Sequence, residues 1–241
     1  DNDSTVSSLS VAHTTPVSIA SGKTLSGAIT LTAGSIKLDE TGILASTVEM
    51  SGGTLDADES LTISGALTQL GDTTIDVLAN KTLTYSGAPL SLGPNTLTLS
   101  GGGNLVSGGL TLNDASSKLL LNSITVDNVS TSLDNTLGLD VDTDSTVSSL
   151  SVAHITPVSI ASGKILSGAI TVTAGSIKLA ETGTLASSVS MSSGTLDADN
   201  SLTVSGTLTQ SGAITIDVAD TKTLTYTGTA ISLGANTLTL T

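Results

Sequence analysis

The sequence predicts an all-β fold, a parallel β-helix (β-solenoid) with no α-helix. Three observations support this prediction: a long internal repeat, a shorter period of about 20 residues inside it, and an apolar content made up almost entirely of aliphatic residues. Short units that recur at such a period cannot bury an apolar face alone, so they stack and share one continuous core.

The long repeat covers most of the chain. Residues 3–100 recur as residues 144–241 without a gap, and 75 of the 98 aligned positions are identical. Residues 101–143 appear only once, so the chain consists of two tandem repeats, 3–143 and 144–241, the second of which is incomplete. We expect a single continuous solenoid over residues 1–241 that belongs to a longer series of repeats.

The shorter period divides each 141-residue repeat into seven coils of 18–23 residues, or about twelve coils in the chain. Apolar residues alternate with Ser, Thr or Asp, and Gly, Asn, Ser or Pro then interrupts the alternation, which indicates about three short strands per coil. Each strand meets its counterpart one coil later, so the pairing is expected to be parallel at about 4.8 Å. The coils are predicted to start at Val17, Ser35, Thr54, Thr73, Pro94, Ser117 and Leu139.

The core of this solenoid is predicted to be a narrow aliphatic tube. The chain has no Phe or Trp, and Tyr85 and Tyr226 are its two aromatic residues. In one strand column, the predicted inward pairs are Ile36 and Leu38, Leu55 and Ala57, Ile75 and Val77, Leu97 and Leu99, Leu119 and Leu121, Leu139 and Val141, and Val158 and Ile160. The predicted outward residues between them are Lys37, Asp56, Asp76, Thr98, Leu120, Asp140 and Ser159.

The main alternative is a tandem pair of bacterial immunoglobulin-like β-sandwiches, in which Leu105 to Thr143 would be a linker and calcium could stabilise the domains. Two features disfavour it. The short period continues through the supposed linker, and a sandwich core of this size is expected to contain aromatic residues.

Charge and composition exclude several classes of partner. The net charge of −14 opposes binding to nucleic acid or to anionic membranes, and no apolar run is long enough to span a bilayer. The absence of Cys removes disulfides and thiolate metal sites, and it is compatible with an exported protein.

Two sets of carboxylates are candidates for a metal site. Asp140, Asp142 and Asp144 resemble the start of an EF-hand calcium loop, but Ser145 and Ser151 occupy the positions where that loop needs Gly and Glu. The second set consists of stacked pairs on successive coils, where like charges repel. A cation, or more simply a lysine one coil below, could relieve the repulsion in each pair: Asp56 and Asp76 beside Lys37, and Asp197 and Asp217 beside Lys178.

The remaining reactive residues are predicted to be structural. His13 and His154 are expected in exposed turns without a partner histidine. The two tyrosines, Met50 and Met191 are expected to fill the core. The glycosylation sequences Asn-Xaa-Ser/Thr at Asn2, Asn80 and Asn128 are given little weight, because such short patterns are frequent in so Ser- and Thr-rich a chain. We therefore predict no catalytic residue, no cofactor and no metal site.

The aliphatic, Ser- and Thr-rich coils with glycine near their corners resemble the shafts of bacterial extracellular parallel β-helix proteins, namely autotransporter passengers and filamentous-haemagglutinin-like adhesins. This resemblance implies an extracellular, cell-surface location and a structural role as a fibre, stalk or adhesin shaft. The chain is similar to β-helical pectate lyases and polygalacturonases in coil pattern only, because their chemistry depends on Arg or on clustered Asp and His. An ice-binding solenoid is a further alternative, since flat Thr arrays bind ice, but the predicted outward columns contain charged residues.

The expected partner is the protein itself. A solenoid exposes unpaired strand edges at each end, and neither end of this sequence has the features of a cap. We expect either continuation of the repeats or end-to-end or lateral association into a fibre, together with contacts to other cell surfaces.

Overall fold

The computed structural model describes residues 2–241 and shows an all-β parallel solenoid of about twelve coils. This confirms the predicted fold class. The strands are β1 (Ser4–Val11), β2 (Thr15–Val17), β3 (Thr24–Leu31), β4 (Ser35–Leu38), β5 (Ile43–Leu44), β6 (Thr47–Met50), β7 (Thr54–Ala57), β8 (Leu61–Ile63), β9 (Leu67–Gln69), β10 (Thr73–Val77), β11 (Thr82–Tyr85), β12 (Leu90–Ser91), β13 (Thr96–Ser100), β14 (Asn104–Ser107), β15 (Leu110–Leu112), β16 (Lys118–Asn122), β17 (Thr125–Val126), β18 (Val129–Thr131), β19 (Gly138–Val141), β20 (Ser145–Val152), β21 (Thr156–Ile160), β22 (Ile165–Val172), β23 (Ser176–Leu179), β24 (Thr184–Leu185), β25 (Ser188–Met191), β26 (Thr195–Ala198), β27 (Leu202–Val204), β28 (Leu208–Gln210), β29 (Ile214–Val218), β30 (Leu224–Tyr226) and β31 (Leu238–Leu240).

The strands form two sheets that wrap around one core. The 12-stranded sheet takes one strand from each coil, in the order β2-β4-β7-β10-β13-β16-β19-β21-β23-β26-β29-β31. The 19-stranded sheet contains the remaining strands, and the paired strands in both sheets run parallel. Each coil therefore hydrogen-bonds to the next one along the solenoid axis, as in the pairing predicted from the sequence.

Alternation along each strand determines which side chains enter the tube. In β7, Leu55 and Ala57 are fully buried, whereas Asp56 between them is partly exposed. The same holds for all of the predicted inward pairs of this column, which are buried. Burial of one Leu, Ile or Val side chain stabilises the fold by about 1.5–3 kcal/mol, so the stacked aliphatic residues hold the coils together.

The predicted register is confirmed from β4 to β10 and from β13 to β21, but it is wrong at the step between β10 and β13. Asp76 pairs with Ser100 rather than with Thr98, and Ile75 pairs with Leu99. A shift of two residues leaves every side chain on its original face of the sheet. Alternation therefore predicts which residues face inward, but it does not determine the register between β10 and β13.

Glycine allows the long strands β20 and β22 to turn a corner of the solenoid together. Val147 pairs with Gly168 and Leu150 pairs with Ile170, so two residues of β20 lie opposite one residue of β22 in a β-bulge. Gly168 has φ 118°, and a Cβ at this position would lie 1.8 Å from the carbonyl oxygen of Val147. Gly27 occupies the equivalent position in the first repeat, with φ 126°.

Thr221 has a backbone conformation that is unfavourable for a β-branched residue. It lies in the turn after β29 with φ 66°, and the equivalent residue of the first repeat, Asn80, has φ 64°. The left-handed region costs most L-residues about 1–2 kcal/mol, and asparagine tolerates it better than threonine does. The two repeats thus place a favourable and an unfavourable residue in the same turn.

We expect Thr221→Asn to stabilise the protein by about 0.5–1 kcal/mol and Asn80→Thr to destabilise it by a similar amount. Each substitution changes only the residue that adopts the left-handed backbone conformation, which asparagine tolerates better than threonine does. Guanidinium unfolding followed by circular dichroism measures both effects. Shifts of the same sign for the two reciprocal substitutions would contradict this explanation.

Candidate functional site

Charged side chains form two stacked columns on the outer surface of the 12-stranded sheet. Strands β4, β7, β10 and β13 carry the first acidic column, and its copy on β23, β26, β29 and the residue after β31 is the second acidic column. The first acidic column consists of Lys37, Asp56, Asp76 and Ser100, and the second consists of Lys178, Asp197, Asp217 and Thr241.

In the first acidic column, a lysine and a hydroxyl group flank the two stacked aspartates. The Lys37 Nζ atom lies 2.8 Å from the Asp58 carboxylate and 3.8 Å from that of Asp56. At the other end of the column, the Ser100 hydroxyl donates a hydrogen bond to Asp76. The hydrogen bond to Asp58 and the nearby negative charges raise the pKa of Lys37. The stacked carboxylates are thus partly neutralised by groups of the chain itself.

The second acidic column repeats this arrangement with looser contacts. Lys178 Nζ lies 3.6 Å from Asp197 and 3.7 Å from Asp199, and the Thr241 hydroxyl donates to Asp217 at 3.2 Å. Both lysines therefore lie where the sequence predicted a compensating charge.

The aspartate next to the lysine in each column, Asp56 or Asp197, is electrostatically unfavourable in its charged form. Burial, and then the negative charge of Asp58, raise the pKa of Asp56 above its ordinary value, while Lys37 opposes the rise. The pKa of Asp197 is raised in the same way by burial and by Asp199. A raised pKa means that the folded chain binds this proton more tightly than the unfolded chain does.

The stability of the fold should therefore depend on the protonation of these two aspartates. Their stabilising contribution is fully present below the unfolded pKa of about 3.9, and it is lost as the pH rises through the higher folded pKa. We expect the double variant Asp56→Asn, Asp197→Asn to melt about 2–4 °C above the wild type at pH 7, and this difference to disappear near pH 4. Thermal melts between pH 4 and pH 8 measure the effect.

The double variant Asp142→Asn, Asp220→Asn is the matched control, because it also removes two negative charges, both from exposed residues outside the acidic columns. An equal increase in melting temperature in this control would show that net charge, rather than the acidic columns, is responsible. A double variant that melts below the wild type at pH 7 would contradict the prediction directly.

Two of the three acidic residues compared with a calcium loop have partners of their own, and the third is exposed. Asp140 lies on β19 and pairs with Lys118, whose Nζ atom is 2.7 Å away. Asp144 accepts the backbone N–H of Ile165 at 2.9 Å, and Asp142 is exposed. Within residues 2–241, no three or more His, Cys, Asp or Glu side chains form a group suited to holding a metal ion.

The two histidines lie in the turn between the long strand and the strand that follows it. His13 is exposed, and the Thr15 hydroxyl donates to its carbonyl oxygen at 3.1 Å. The Nδ1 atom of His154 lies 3.8 Å from Asp134 of the preceding coil. Tyr85 is buried, and its hydroxyl oxygen accepts the backbone N–H of Leu67 at 3.2 Å. Buried Met50 and Met191 lie in the core, as predicted.

Backbone geometry accounts for two of the three asparagine sequons. Asn80 and Asn128 have φ 64° and 49°, in the region that asparagine tolerates better than most residues. The Asn128 side chain also donates to the carbonyl of Ser107 at 3.3 Å. Asn2 is exposed ahead of β1. Asn80 and Asn128 therefore have a conformational role that requires no glycan.

A column of hydroxyl side chains runs along the outer surface of the 19-stranded sheet. Its members are Cα partners from one coil to the next over seven coils, and none of them is charged. In the first repeat the equivalent column is interrupted by Glu49, which lies between Thr30 and Thr68. The hydroxyl column consists of Ser91, Thr111, Ser130, Ser151, Thr171, Ser190 and Thr209.

One structural residue that the sequence analysis missed is Asn135, which is buried in the turn before β19. Its Nδ2 group donates to the carbonyl oxygens of Asp114 at 2.7 Å and Ser117 at 2.9 Å. Its Oδ1 atom accepts the backbone N–H groups of Leu137, at 2.9 Å, and Gly138. The side chain therefore makes the four hydrogen bonds that an amide can form. Residues 101–143 occur once, so no second copy drew attention to it.

Comparison with known proteins identifies no relative: no protein-family model, curated protein or solved structure matches this chain. Within the described residues, there is also no helix of the length and apolarity needed to cross a membrane.

Proposed function

We propose that this chain is a structural protein and not an enzyme. Its role is that of a stiff segment in an extracellular fibre, stalk or adhesin shaft at a cell surface. The observation that carries the proposal is the unbroken ladder of the 12-stranded sheet, which takes a strand from every coil between β2 and β31.

The ladder and the core together favour a load-bearing rod. Neighbouring coils are joined by parallel hydrogen bonds in both sheets, and buried aliphatic residues such as Leu121 and Val141 stack beneath them. A force applied along the axis passes through each coil-to-coil interface in turn, and within each interface it is shared by the hydrogen bonds of both sheets and by the apolar contacts beneath them. At about 4.8 Å per coil, twelve coils give a rod about 55–60 Å long.

Composition supports an extracellular location. The chain has no Cys, which is compatible with an exported protein. Its net charge of −14 would keep rods soluble and apart from anionic surfaces. The resemblance of its coils to bacterial adhesin shafts points the same way. The proposed partners are further copies of the repeat and, through a flanking region, another cell surface.

Antibodies against the folded chain test the location in cells of the organism that encodes it. We expect labelling of intact cells, and removal of the label by protease added outside. A cytosolic protein should label only after permeabilisation and serves as the control. Labelling of the chain that also requires permeabilisation would overturn the extracellular assignment.

Ice binding is a second candidate function, and the hydroxyl column is the observation that favours it. The column is a row of hydroxyl groups at the spacing of parallel coils, without charge over seven coils, and ice binding needs an uncharged, regularly spaced surface of this kind. Thermal hysteresis tests it, with Thr171→Lys in the middle of the column as the matched variant. Hysteresis that is present in the wild type and lost in the variant would support ice binding, and its absence in the wild type would exclude it.

A further inference from the structure

The strands in the middle of the 12-stranded sheet carry an apolar patch on their outer surface. Leu137 is 47% exposed and Ile155 is 40% exposed, and the other members are partly exposed. The residues lie on or immediately beside β16, β19, β21 and β23, and each of these strands is paired with a neighbour on both sides. The patch is therefore open sideways, not along the axis of the rod. This central patch consists of Leu120, Leu137, Ile155, Pro157 and Ala180.

Two differences between the repeats make this surface apolar. Thr14 of the first repeat corresponds to Ile155, and Asp39 corresponds to Ala180. In the first repeat, Asp39 is exposed and accepts the Ser18 hydroxyl at 2.7 Å. The fold therefore accommodates polar residues at both positions, and it does not need the apolar pair of the second repeat in order to form the coil.

The central patch contains a shallow groove of about 410 Å³. Its lining includes Ile155, Pro157 and Ala180, together with Lys178 and Asp199. Covering aliphatic surface stabilises a contact by about 25 cal/mol for each Å² that is removed from water. A partner that fits this groove must therefore offer aliphatic side chains, and charges that match the lysine and the aspartate.

Charged residues accompany the central patch along the axis, in nearly equal numbers of each sign. In the coils on one side, Lys118 Nζ lies 2.7 Å from Asp140. In the coils on the other side, Lys178 Nζ lies 3.6 Å from Asp197 and 3.7 Å from Asp199. These two lysines and three aspartates differ by a single charge, whereas the whole chain has a net charge of −14. Two rods can therefore approach through this surface without strong repulsion.

The register of the sheet arranges these charges for an antiparallel contact between two rods. Pro157 lies two coils from Lys118 on one side and two coils from Asp197 on the other. When a second rod lies antiparallel with its Pro157 coil opposite that of the first, Lys118 of each rod faces Asp197 of the other. By the same geometry, Asp140 of each rod lies diagonally opposite Lys178 of the other. The outward row on these successive coils consists of Lys118, Gly138, Pro157, Lys178 and Asp197.

We propose that the central patch is a lateral contact between two antiparallel copies of this rod, related by a two-fold axis at the coil of Pro157. Ile155 and Pro157 of the two rods meet at the axis, and Leu137 of each rod faces the groove of the other. Each pairing of opposite charges occurs twice by symmetry. This inference deepens the proposed function as a structural rod and rests on it, because it names the surface through which rods associate.

The contact also supplies a cation that Asp197 lacks within its own chain. Burial, and then the negative charge of Asp199, raise the pKa of Asp197, and Lys178 only partly opposes the rise. In the paired rods, Lys118 of the second rod faces this carboxylate. The hydroxyl column on the other sheet is uncharged and presents no such complementary groups. Charge complementarity therefore favours the central patch as the contact.

Sedimentation velocity at increasing protein concentration tests the contact. The central patch is smaller than a standard interface, so we expect the wild type to dimerise with a dissociation constant of about 10–100 μM. The double variant Ile155→Thr, Ala180→Asp introduces the residues of the first repeat. We expect it to raise the dissociation constant at least about tenfold, because symmetry makes each substitution act twice.

Ser190→Glu is the matched control for the double variant. It adds the same charge and also introduces a residue of the first repeat, Glu49, but it lies on the other sheet. We expect the dissociation constant to stay unchanged in this control. A wild type that is monomeric at about 1 mM, or a double variant that dimerises as tightly as the wild type, would overturn the proposal. Loss of the dimer in Ser190→Glu would place the contact on the hydroxyl column and would overturn it too.

Cross-linking tests the antiparallel arrangement. The chain has no Cys, so Ser116→Cys and Thr195→Cys each introduce a single thiol. Ser116 lies two residues before Lys118 and Thr195 lies two residues before Asp197, so position 116 of one rod should lie opposite position 195 of the other. We expect a short bismaleimide to link the two variants when they are mixed, and to link neither variant to itself.

Two results would contradict the arrangement: no cross-link in the mixture, or equal cross-linking of either variant alone. The outcome is separate from that of the proposed function. A rod that is monomeric in solution but labels on intact cells would overturn the lateral contact and leave the extracellular structural role standing.

Discussion

Replacing Gly168 with alanine is expected to destabilise the protein by about 3–5 kcal/mol. The residue lies at the bulge between β20 and β22 with φ 118°, where an L-residue is strongly disfavoured. The added Cβ would also lie 1.8 Å from the carbonyl oxygen of Val147, so the backbones of two coils would have to separate. Guanidinium unfolding measures the loss.

Gly163→Ala is the matched control for this substitution. Gly163 has φ 73°, and a Cβ there meets no atom within 4 Å, so we expect a cost of only about 1–2 kcal/mol from the backbone conformation. Equal costs at Gly168 and Gly163 would contradict the close approach at the bulge.

Asn135→Asp is expected to cost about 3–5 kcal/mol at pH 7. The substitution keeps one oxygen that accepts the N–H groups of Leu137 and Gly138, but it points the second oxygen at the carbonyls of Asp114 and Ser117. A buried negative charge would then face two acceptors in place of the amide that donated to them. Unfolding experiments at pH 7 measure the cost.

Two further measurements separate charge from shape at this position. Protonation gives the carboxyl group one donor, so the destabilisation by Asn135→Asp should shrink as the pH falls to 4. Asn122→Asp is the control, because Asn122 is exposed and its oxygen accepts the Thr143 hydroxyl at 2.7 Å, which a carboxylate can also do. We expect a change within about 0.5 kcal/mol there. A large effect at Asn122, or none at Asn135, would contradict the hydrogen-bond account.

The sequence is sufficient to predict the solenoid because the same physical preference is repeated in every coil. A strand such as β7 needs apolar residues at Leu55 and Ala57 and a polar residue between them, and this alternation has a period of two that can be read directly. The stacking of Asp56 with Asp76 and the nearby Lys37 follow from the coil length and the facing.

Features that depend on contacts between different coils were not predictable in the same way. The two-residue shift that pairs Asp76 with Ser100 preserves the inward and outward faces, so alternation does not reveal it. Gly168 in the middle of a strand was a visible signal for a bulge, but the partner residue cannot be read locally. The polar residues around Asn135 resemble those of any exposed turn, and burial became apparent only when the adjacent coils were in place.

The central claim is that one 141-residue repeat equals seven coils of a continuous rod. Spin labels attached at Ser21→Cys and Ser162→Cys, equivalent exposed turn residues seven coils apart, test it by pulsed electron paramagnetic resonance. The solenoid predicts a single narrow distance distribution centred near about 34 Å. A broad distribution, or a centre far from this value, would show that the two repeats are separate bodies and would contradict the claim.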